Sequence, residues 1–349
     1  MSKESSDRMV RVGLNGFGRI GRSVFRAVVD RPEIELVGIN DLMDPEAAHY
    51  LAKYDTVMGR LDGLELADEH LVYRDLRVPL FSEANPEDLP WGDLDVDVVF
   101  EATGVFRTRE EAERHLDAGA RKVLISAPAK GDDPVTTIVY GVNHEEYDGE
   151  DVLSNGSCTT NSVAPVAKVL DEAFGIRSGL LTTVHGYTSS QELVDGPSSD
   201  PRRGRAAAEN VVPTSTGAAV ATTEVLPELE GKLDGMAMRV PVPNGSISDL
   251  TLDLEGNPDT ETVNDTLRAA ANAELQGVLG YTDDQVVSSD IVGLPFSSYA
   301  DLGSTTTIEG GLTKVLAWYD NEFGFANRML DVARYVIAED ERIETEARA

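Results

Sequence analysis

The residues best suited to do chemistry sit in one stretch, Ser157-Cys158-Thr159-Thr160-Asn161. Cys158 is the single cysteine of the chain, which excludes an internal disulfide. Apolar residues follow at steps of three and four (Val163, Val166, Leu170, Phe174), the spacing of a helix with one buried face. Ser157 or a neighbouring threonine would cap its first turn. A thiol at such a helix start meets the positive end of the dipole, which favours thiolate. Pro165 opposes this simple picture, because its missing N–H must kink the helix or delay its start. By itself a lone cysteine reads equally as a nucleophile or as a small, inert core residue. A partner for the first role is His185, one of five histidines, at the end of a predicted strand over residues 180–184. Within reach of the thiol it would be the base that activates it; otherwise it is a packing or surface histidine.

A second chemical signature opens the chain. Residues 10–14 alternate as a strand, and Asn15-Gly16-Phe17-Gly18-Arg19-Ile20-Gly21 follows, leading into a helical stretch over residues 23–29. Residues 34–39 form the next strand, ending at Asp41, twenty residues beyond Gly21. A glycine loop between strand and helix, with an acid at that distance, is the context of a dinucleotide site. Gly16 permits the tight turn, Gly18 lets backbone approach a pyrophosphate, and Gly21 packs helix on strand. Asp41 would accept from a ribose 2′-hydroxyl and repel a 2′-phosphate, so NAD is expected over NADP. The competing reading is a glycine-rich turn in some other α/β protein.

The elements that must hold these groups fall into two patterns. Further strands over residues 96–100, 122–126 and 137–142, with a helix over 108–118, alternate as in a doubly wound parallel sheet. After Cys158, strands over residues 236–240, 247–254 and 314–318 and a helix over 260–275 predict an α+β unit with a mostly antiparallel sheet. A last helix covers residues 327–338. The expected domains are 1–157, joined by a C-terminal helix 322–349, and 158–321. Arg202-Arg203-Gly204-Arg205 is the one tight basic cluster, read either as an anion site or as a set of ion-paired side chains.

Composition narrows the classes. A chain of 349 residues has room for two cores, and its 41% hydrophobic content is ordinary. No apolar run is long enough to span a membrane. The first seven residues carry no apolar signal and read as a disordered lead-in, and together with the lone cysteine this points to the cytoplasm. With 30 Lys plus Arg against 62 Asp plus Glu, a net −32, the charge balance argues against nucleic acid and anionic membrane as partners. Seven lysines stand against 23 arginines. Acid spread along the whole chain fits a halophile-type surface, with an ordinary acidic protein as the alternative. No metal-ligand set is expected.

Taken together, the glycine loop, the Ser157–Asn161 stretch, Thr183-Val184-His185-Gly186-Tyr187-Thr188, Ser215-Thr216-Gly217-Ala218-Ala219, Met236-Ala237-Met238-Arg239-Val240-Pro241 and Trp318-Tyr319-Asp320-Asn321-Glu322 closely resemble the phosphorylating glyceraldehyde-3-phosphate dehydrogenases. The resemblance runs from about Met9 to about Ile337. It implies a two-domain fold, a homotetramer, NAD as cofactor, and glyceraldehyde 3-phosphate and inorganic phosphate as substrates. Cys158 would be the nucleophile and His185 its base and proton relay. Thr188 and Arg239 would hold the substrate's own phosphate. Ser157, Thr159, Thr216 and Gly217, with Arg203 nearby, would hold the attacking phosphate. The cofactor would meet Asn15, Gly16, Phe17, Gly18, Arg19, Ile20, Gly21, Asp41, Thr103, Gly104 and Ser126, with Asn321 on the nicotinamide carboxamide. Residues 187–210 would form the loop that reaches a neighbouring subunit's cofactor. Ser162 stands where many members carry a second cysteine, and Phe325 replaces a tyrosine common near the nicotinamide. Gly196-Pro197 keeps the proline associated with NAD use. Erythrose-4-phosphate dehydrogenase, a near relative, is the alternative.

Overall fold

A computed structural model of the protein describes residues 8–347. The expected lead-in over residues 1–7 lies outside them. The chain divides into two compact units. The first takes the chain up to Ile138, resumes over His144–Gly156, and includes the C-terminal part from Ala326. The second comprises Val139–Asn143 and Ser157–Phe325.

In the first unit, nine strands form one sheet. Their order is Thr136–Thr137, Val152–Ser154, Lys122–Ile125, Val98–Glu101, Val10–Asn15, Ile34–Asn40, Leu76–Phe81, His70–Tyr73 and Glu65–Ala67. The first seven run parallel, and the last two add an antiparallel edge. The central parallel strands are buried, as Val/Ile/Leu-rich runs between helices must be. The strand order reverses on either side of Val10–Asn15, and such a switch point opens a crevice at the carboxyl ends of the strands. Two polar residues, Asn15 and Glu101, end the strands on either side of it. The helix expected over residues 108–118 runs Arg109–Asp117, started by a capping box in which Thr108 and Glu111 satisfy each other's backbone N–H groups.

One expected strand does not form. Residues 137–142 yield only Thr136–Thr137, after which the chain departs for the second unit. Gly141 takes φ +84°, outside the extended region, and Val139 and Val142 are buried in the second unit's core. Their apolar spacing reflected that core rather than a place in the parallel sheet.

In the second unit, seven strands follow the order Val212–Ser215, Leu233–Val240, Ile176–Gly186, Ser246–Leu254, Leu312–Tyr319, Ser298–Thr307 and Leu279–Thr282. All pairings are antiparallel except Leu233–Val240 with Ile176–Gly186 and Leu279–Thr282 with Ser298–Thr307. Ser246–Leu254 alternates strictly between buried and partly buried residues, one face packed on the core and one away from it. That core is shared with the helix Cys158–Phe174, whose Val163, Val166 and Leu170 are buried as the periodicity requires.

This helix starts at Cys158 without delay, contrary to one reading of Pro165. Pro165 cannot supply the N–H normally donated four residues back, at a cost of about 3 kcal/mol. The helix runs through because Ser162 to Ala167 are all buried, so packing holds a backbone that propensity would break. Among the described residues no helix is long and apolar enough to cross a membrane.

Candidate active site

In the first unit the glycine turn is fixed by close backbone contacts. Gly16 has φ +99°, and a Cβ there would lie 2.6 Å from the backbone of Ala102 and Thr103. At Gly21 a Cβ would meet the Gly16 carbonyl at 2.1 Å, so the third glycine packs the helix on the turn itself. Nothing lies within 4 Å of a Cβ placed on Gly18, which leaves the space above it open to a ligand. Asp41 ties the turn to the end of its strand: Oδ2 accepts from Phe17 N at 2.6 Å and Oδ1 from Met43 N at 3.0 Å. Asn15, Gly16, Gly18, Asp41 and Thr103 line one open cleft of about 340 Å³. A carboxylate at the rim, a glycine backbone with open space above it and a helix N-terminus behind it fit a dinucleotide.

The remaining expected cofactor residues lie off that cleft. Phe17 is buried with its ring edge-on to Phe25, Arg19 pairs with Asp55 at 2.6 Å, and Ser126 N donates to the Glu101 carbonyl. Ile20 and Gly104 do not line it either, although Gly104 takes φ +73° in the turn after Thr103. Behind the cleft stands a buried polar network that the motif reading missed. Glu101 accepts from Asn15 Nδ2 at 2.6 Å and from Thr103 N at 2.8 Å, and lies 3.2 Å from His115. Trp91 Nε1 donates to His115 Nδ1 at 3.0 Å, which assigns the proton to Nε2, facing Glu101. Asn40 Nδ2 completes it on Asn15 Oδ1. Asn15, Asn40, Glu101 and His115 lie on strands and a helix, but nothing in one-dimensional spacing relates Trp91 or His115 to the glycine turn.

The thiol is held within the second unit. Ser157 is the N-cap, its hydroxyl accepting from Thr160 N at 3.0 Å. Cys158, the first helical residue, faces the strand Ile176–Gly186, and its Sγ lies 3.5 Å from His185 Nε2. Alternation along that strand puts Leu181, Thr183 and His185 on the buried face. In the neighbouring strand Arg239 is the register partner of His185. Arg239 Nη1 therefore reaches His185 Nδ1 at 2.6 Å and the Gly186 carbonyl at 3.0 Å. Tyr319, buried and unassigned by the sequence reading, stands edge-on to His185 with ring centres 5.9 Å apart. Its hydroxyl joins Thr159 at 2.9 Å and Thr183 at 2.7 Å.

Electrostatics in this cluster oppose the simple helix-dipole expectation. Burial pushes the Cys158 thiol up, against the pull of Arg239 and of hydrogen bonds from Thr159 and the helix start. Cys158 keeps partial exposure, so the direction describes a thiol that ligands and proton acceptors can still reach. Burial, reinforced by the Arg239 charge, pushes His185 down to about 3. Burial also keeps Tyr319 protonated. Arg239 is lowered by burial, and the groups acting on it are Cys158, Tyr319 and Arg203, with no carboxylate among them. Its Nε is buried without a partner in the protein.

The other expected phosphate ligands make their hydrogen bonds with residues outside the thiol cluster. Thr188 shares a hydrogen bond with Ser190, Thr216 caps Ala218 N at 3.1 Å, and Gly217 precedes the helix Ala218–Val225. Arg203 donates to Thr214 at 3.0 Å and lies 3.6 Å from Asp200, while Arg205 pairs with Asp195. Of the basic cluster, these two arginines therefore have acid partners. Asn321 Oδ1 accepts from Ser246 Oγ at 2.7 Å, and Ser246 Oγ accepts from Gly186 N, tying Asn321 to the residue after the histidine.

A dinucleotide-type α/β unit joined to a sheet unit carrying a cysteine–histidine pair is the architecture of a thiol-dependent, NAD-linked dehydrogenase. Residues 10–109 match the family "Glyceraldehyde 3-phosphate dehydrogenase, NAD binding domain", and residues 157–321 match its C-terminal domain. The chain belongs to the glyceraldehyde-3-phosphate dehydrogenase family. It is 64% identical to glyceraldehyde-3-phosphate dehydrogenase of Haloarcula vallismortis over 94% of this chain and 98% of the relative. With the Geobacillus stearothermophilus enzyme of that name the identity is 52%, again over 94% and 98%. With that of Salmonella typhimurium it is 48%, over 94% and 99%. NAD is the cofactor.

The state of His185 has a consequence for stability. Its proton affinity is ordinary (6.5) when unfolded and about 3 when folded, so between these values the unfolded chain binds the extra proton. Stability should fall as pH drops below 6.5, at up to about 1.4 kcal/mol per pH unit from this residue. Denaturation of the ligand-free protein between pH 7 and 5 should be steeper in pH for wild type than for His185→Gln. Equal slopes would show that His185 is not held neutral.

Proposed function

We propose that this chain oxidises D-glyceraldehyde 3-phosphate to 1,3-bisphosphoglycerate, with NAD as oxidant and inorganic phosphate as acyl acceptor. The observation that carries the reading is Arg239: a largely buried guanidinium without a carboxylate partner, beside a thiol–imidazole pair, in a chain of 62 acids. A cation left unpaired there is positioned for an anionic substrate.

The side chains then act in order. Cys158 thiolate adds to the aldehyde carbon, and His185 gives its Nε2 proton to the developing oxyanion. NAD, when bound, supplies the hydride acceptor. As the hydride leaves, His185 takes the hydroxyl proton back and a thioester stands on Cys158. Inorganic phosphate attacks that carbonyl, the C–S bond breaks, and the thiolate is regenerated beside the imidazolium. Thr188 and Arg239 would hold the substrate phosphate. Ser157, Thr159, Thr216 and Gly217 would serve the attacking one, with Arg203 freed from Asp200. Asn321 would orient the carboxamide, and Asp41 would select NAD over NADP. Erythrose 4-phosphate is the less favoured aldehyde, since the relatives above all carry the glyceraldehyde-3-phosphate dehydrogenase name.

NADH should form from glyceraldehyde 3-phosphate at a sustained rate only with phosphate present, and faster than from erythrose 4-phosphate. Cys158→Ser should lower turnover at least ~10³-fold while retaining NAD binding, because a hydroxyl supplies no anion near neutral pH. Near-native turnover in that variant would sink the mechanism.

The chain is further proposed to work as a homotetramer in a salt-rich cytoplasm, with neither nucleic acid nor membrane as partner. Exposed Leu180, Leu193, Val194 and Val211 on the second unit support burial against other subunits. A net charge of −32 per chain must be screened before such faces can meet. The Debye length is about 30 Å at 0.01 M salt and about 3 Å at 1 M, so dilution should dissociate the assembly and activity should fall with it. Sedimentation and activity followed together across a salt series decide this. An active tetramer persisting for hours without salt would reject it.

A further inference from the structure

Glu101 is fully buried, yet among the described residues no lysine or arginine pairs with it. Hydrogen bonds alone satisfy its carboxyl group. Oε2 accepts from Asn15 Nδ2 at 2.6 Å and from His115 Nε2 at 3.2 Å. Oε1 accepts from Thr103 N at 2.8 Å and from the Thr103 hydroxyl. All of these neighbours are donors, the surroundings that suit an acceptor-only carboxylate.

Two chains of donors converge on it. On one side Trp91 Nε1, which can only donate, takes His115 Nδ1 as its acceptor at 3.0 Å. A proton on Nδ1 would meet the indole N–H head-on, so the ring carries its proton on Nε2, facing Glu101. On the other side the order is set from the far end. Glu83 N donates to Asn40 Oδ1 at 2.8 Å, and Asn40 Nδ2 donates to Asn15 Oδ1 at 2.7 Å. Asn15 Nδ2 is thereby turned to Glu101. No amide in this chain can flip without setting two donors against each other.

We propose that Glu101 is a positioning residue for the cofactor: it is the common acceptor that ties together the strand ends and turns lining the dinucleotide cleft, held in place by Trp91 and His115. Asn15 leads into the glycine turn, Asn40 and Glu83 flank Asp41, and Thr103 begins the turn that continues through Val105 and Phe106; all line the same cleft. Thr103 passes the restraint on, since its hydroxyl accepts from Val105 N at 3.0 Å. His115 also stands edge-on to Phe106, with ring centres 6.4 Å apart. The inference rests on NAD as the cofactor and not on which aldehyde is oxidised.

Energetics favour a role beyond stability. A carboxylate buried without a cation is a poor source of stability, because apolar packing of similar volume does as well or better. The sheet is nevertheless adapted to seat the residue that orients His115. A Cβ on Gly13 would lie 3.0 Å from the Trp91 ring, and one on Gly38 would lie 3.2 Å from it. Loss of a single acceptor would spread along such a network. In Glu101→Gln the new NH2 must face either Asn15 and His115 or Thr103, donors in both cases. If Asn15 flips to meet it, its own NH2 is set against that of Asn40, and the disturbance reaches Glu83.

The experiment is calorimetric titration of the full-length protein with NAD, beside thermal unfolding of the ligand-free protein. Glu101→Gln should raise the NAD Kd about tenfold, the worth of one charge-assisted hydrogen bond. Trp91→Phe, which takes the indole donor from the network, should raise it about threefold. Added to Glu101→Gln it should raise Kd no further, because that donor acts through the carboxylate already lost. KM for NAD should rise with Kd, while KM for glyceraldehyde 3-phosphate stays as in wild type. Val152→Ala, a core truncation two strands away from Glu101, is the comparison: it should lower the unfolding temperature and leave the NAD Kd unchanged. An unchanged Kd in Glu101→Gln, additive losses in the double variant, or an equal loss in Val152→Ala would overturn the proposal. If Glu101→Gln does not fold, Trp91→Phe carries the test, and an unchanged Kd there overturns it. Failure of the network leaves NADH formation by wild type intact, whereas failure of the aldehyde reading appears as no NADH from glyceraldehyde 3-phosphate.

Discussion

The chemistry of the second unit depends on one register, that between Ile176–Gly186 and Leu233–Val240. It sets His185 against Arg239 and puts both beside the start of the cysteine helix. Because side chains alternate along a strand, a slip of one residue would turn His185 to the opposite face and exchange its neighbour. The antiparallel partner Ser246–Leu254 locks that register from the other side, pairing Thr183 with Ser248 and, through its own next neighbour, Ser246 with Tyr319. Thr183 and Tyr319 then close the same face through a shared hydrogen bond. The site is thus built on sheet positions, and the helix contributes its first two residues, Cys158 and Thr159, and its cap.

Legibility from sequence followed how local each signal was. The glycine turn, Asp41, the Ser157 cap and the strand bearing His185 are short-range patterns whose physics is complete within a few residues. Each appears in the structure close to the expected place. Tyr319, Trp91 and His115 were passed over because their partners lie 14 to 160 residues away, and no periodicity encodes such pairs. The misread segment 137–142 failed for a related reason: its apolar residues serve the second unit's core, and a pattern of burial does not say which core. Pro165 shows tertiary packing overriding propensity, a balance that is invisible without the buried face it packs against.

Basic side chains are sparse in this chain, and most are already committed. In an acidic chain most arginines are held by carboxylates, as Arg205 is by Asp195 and Arg19 by Asp55. Arg239 departs from this: it is partly buried, with no carboxylate among the groups acting on it. The same scarcity of lysine fits ion pairs built from bidentate guanidinium groups on a heavily charged surface.

The central claim is that oxidation leaves the acyl group on Cys158. Intact-protein mass spectrometry, followed by peptide mapping, after mixing enzyme with NAD and glyceraldehyde 3-phosphate in phosphate-free buffer tests it most directly. One phosphoglyceroyl group per chain should appear on the peptide carrying Cys158 and disappear when inorganic phosphate is added. An unmodified Cys158 during a full first turnover, or an acyl group on another residue, would contradict the account.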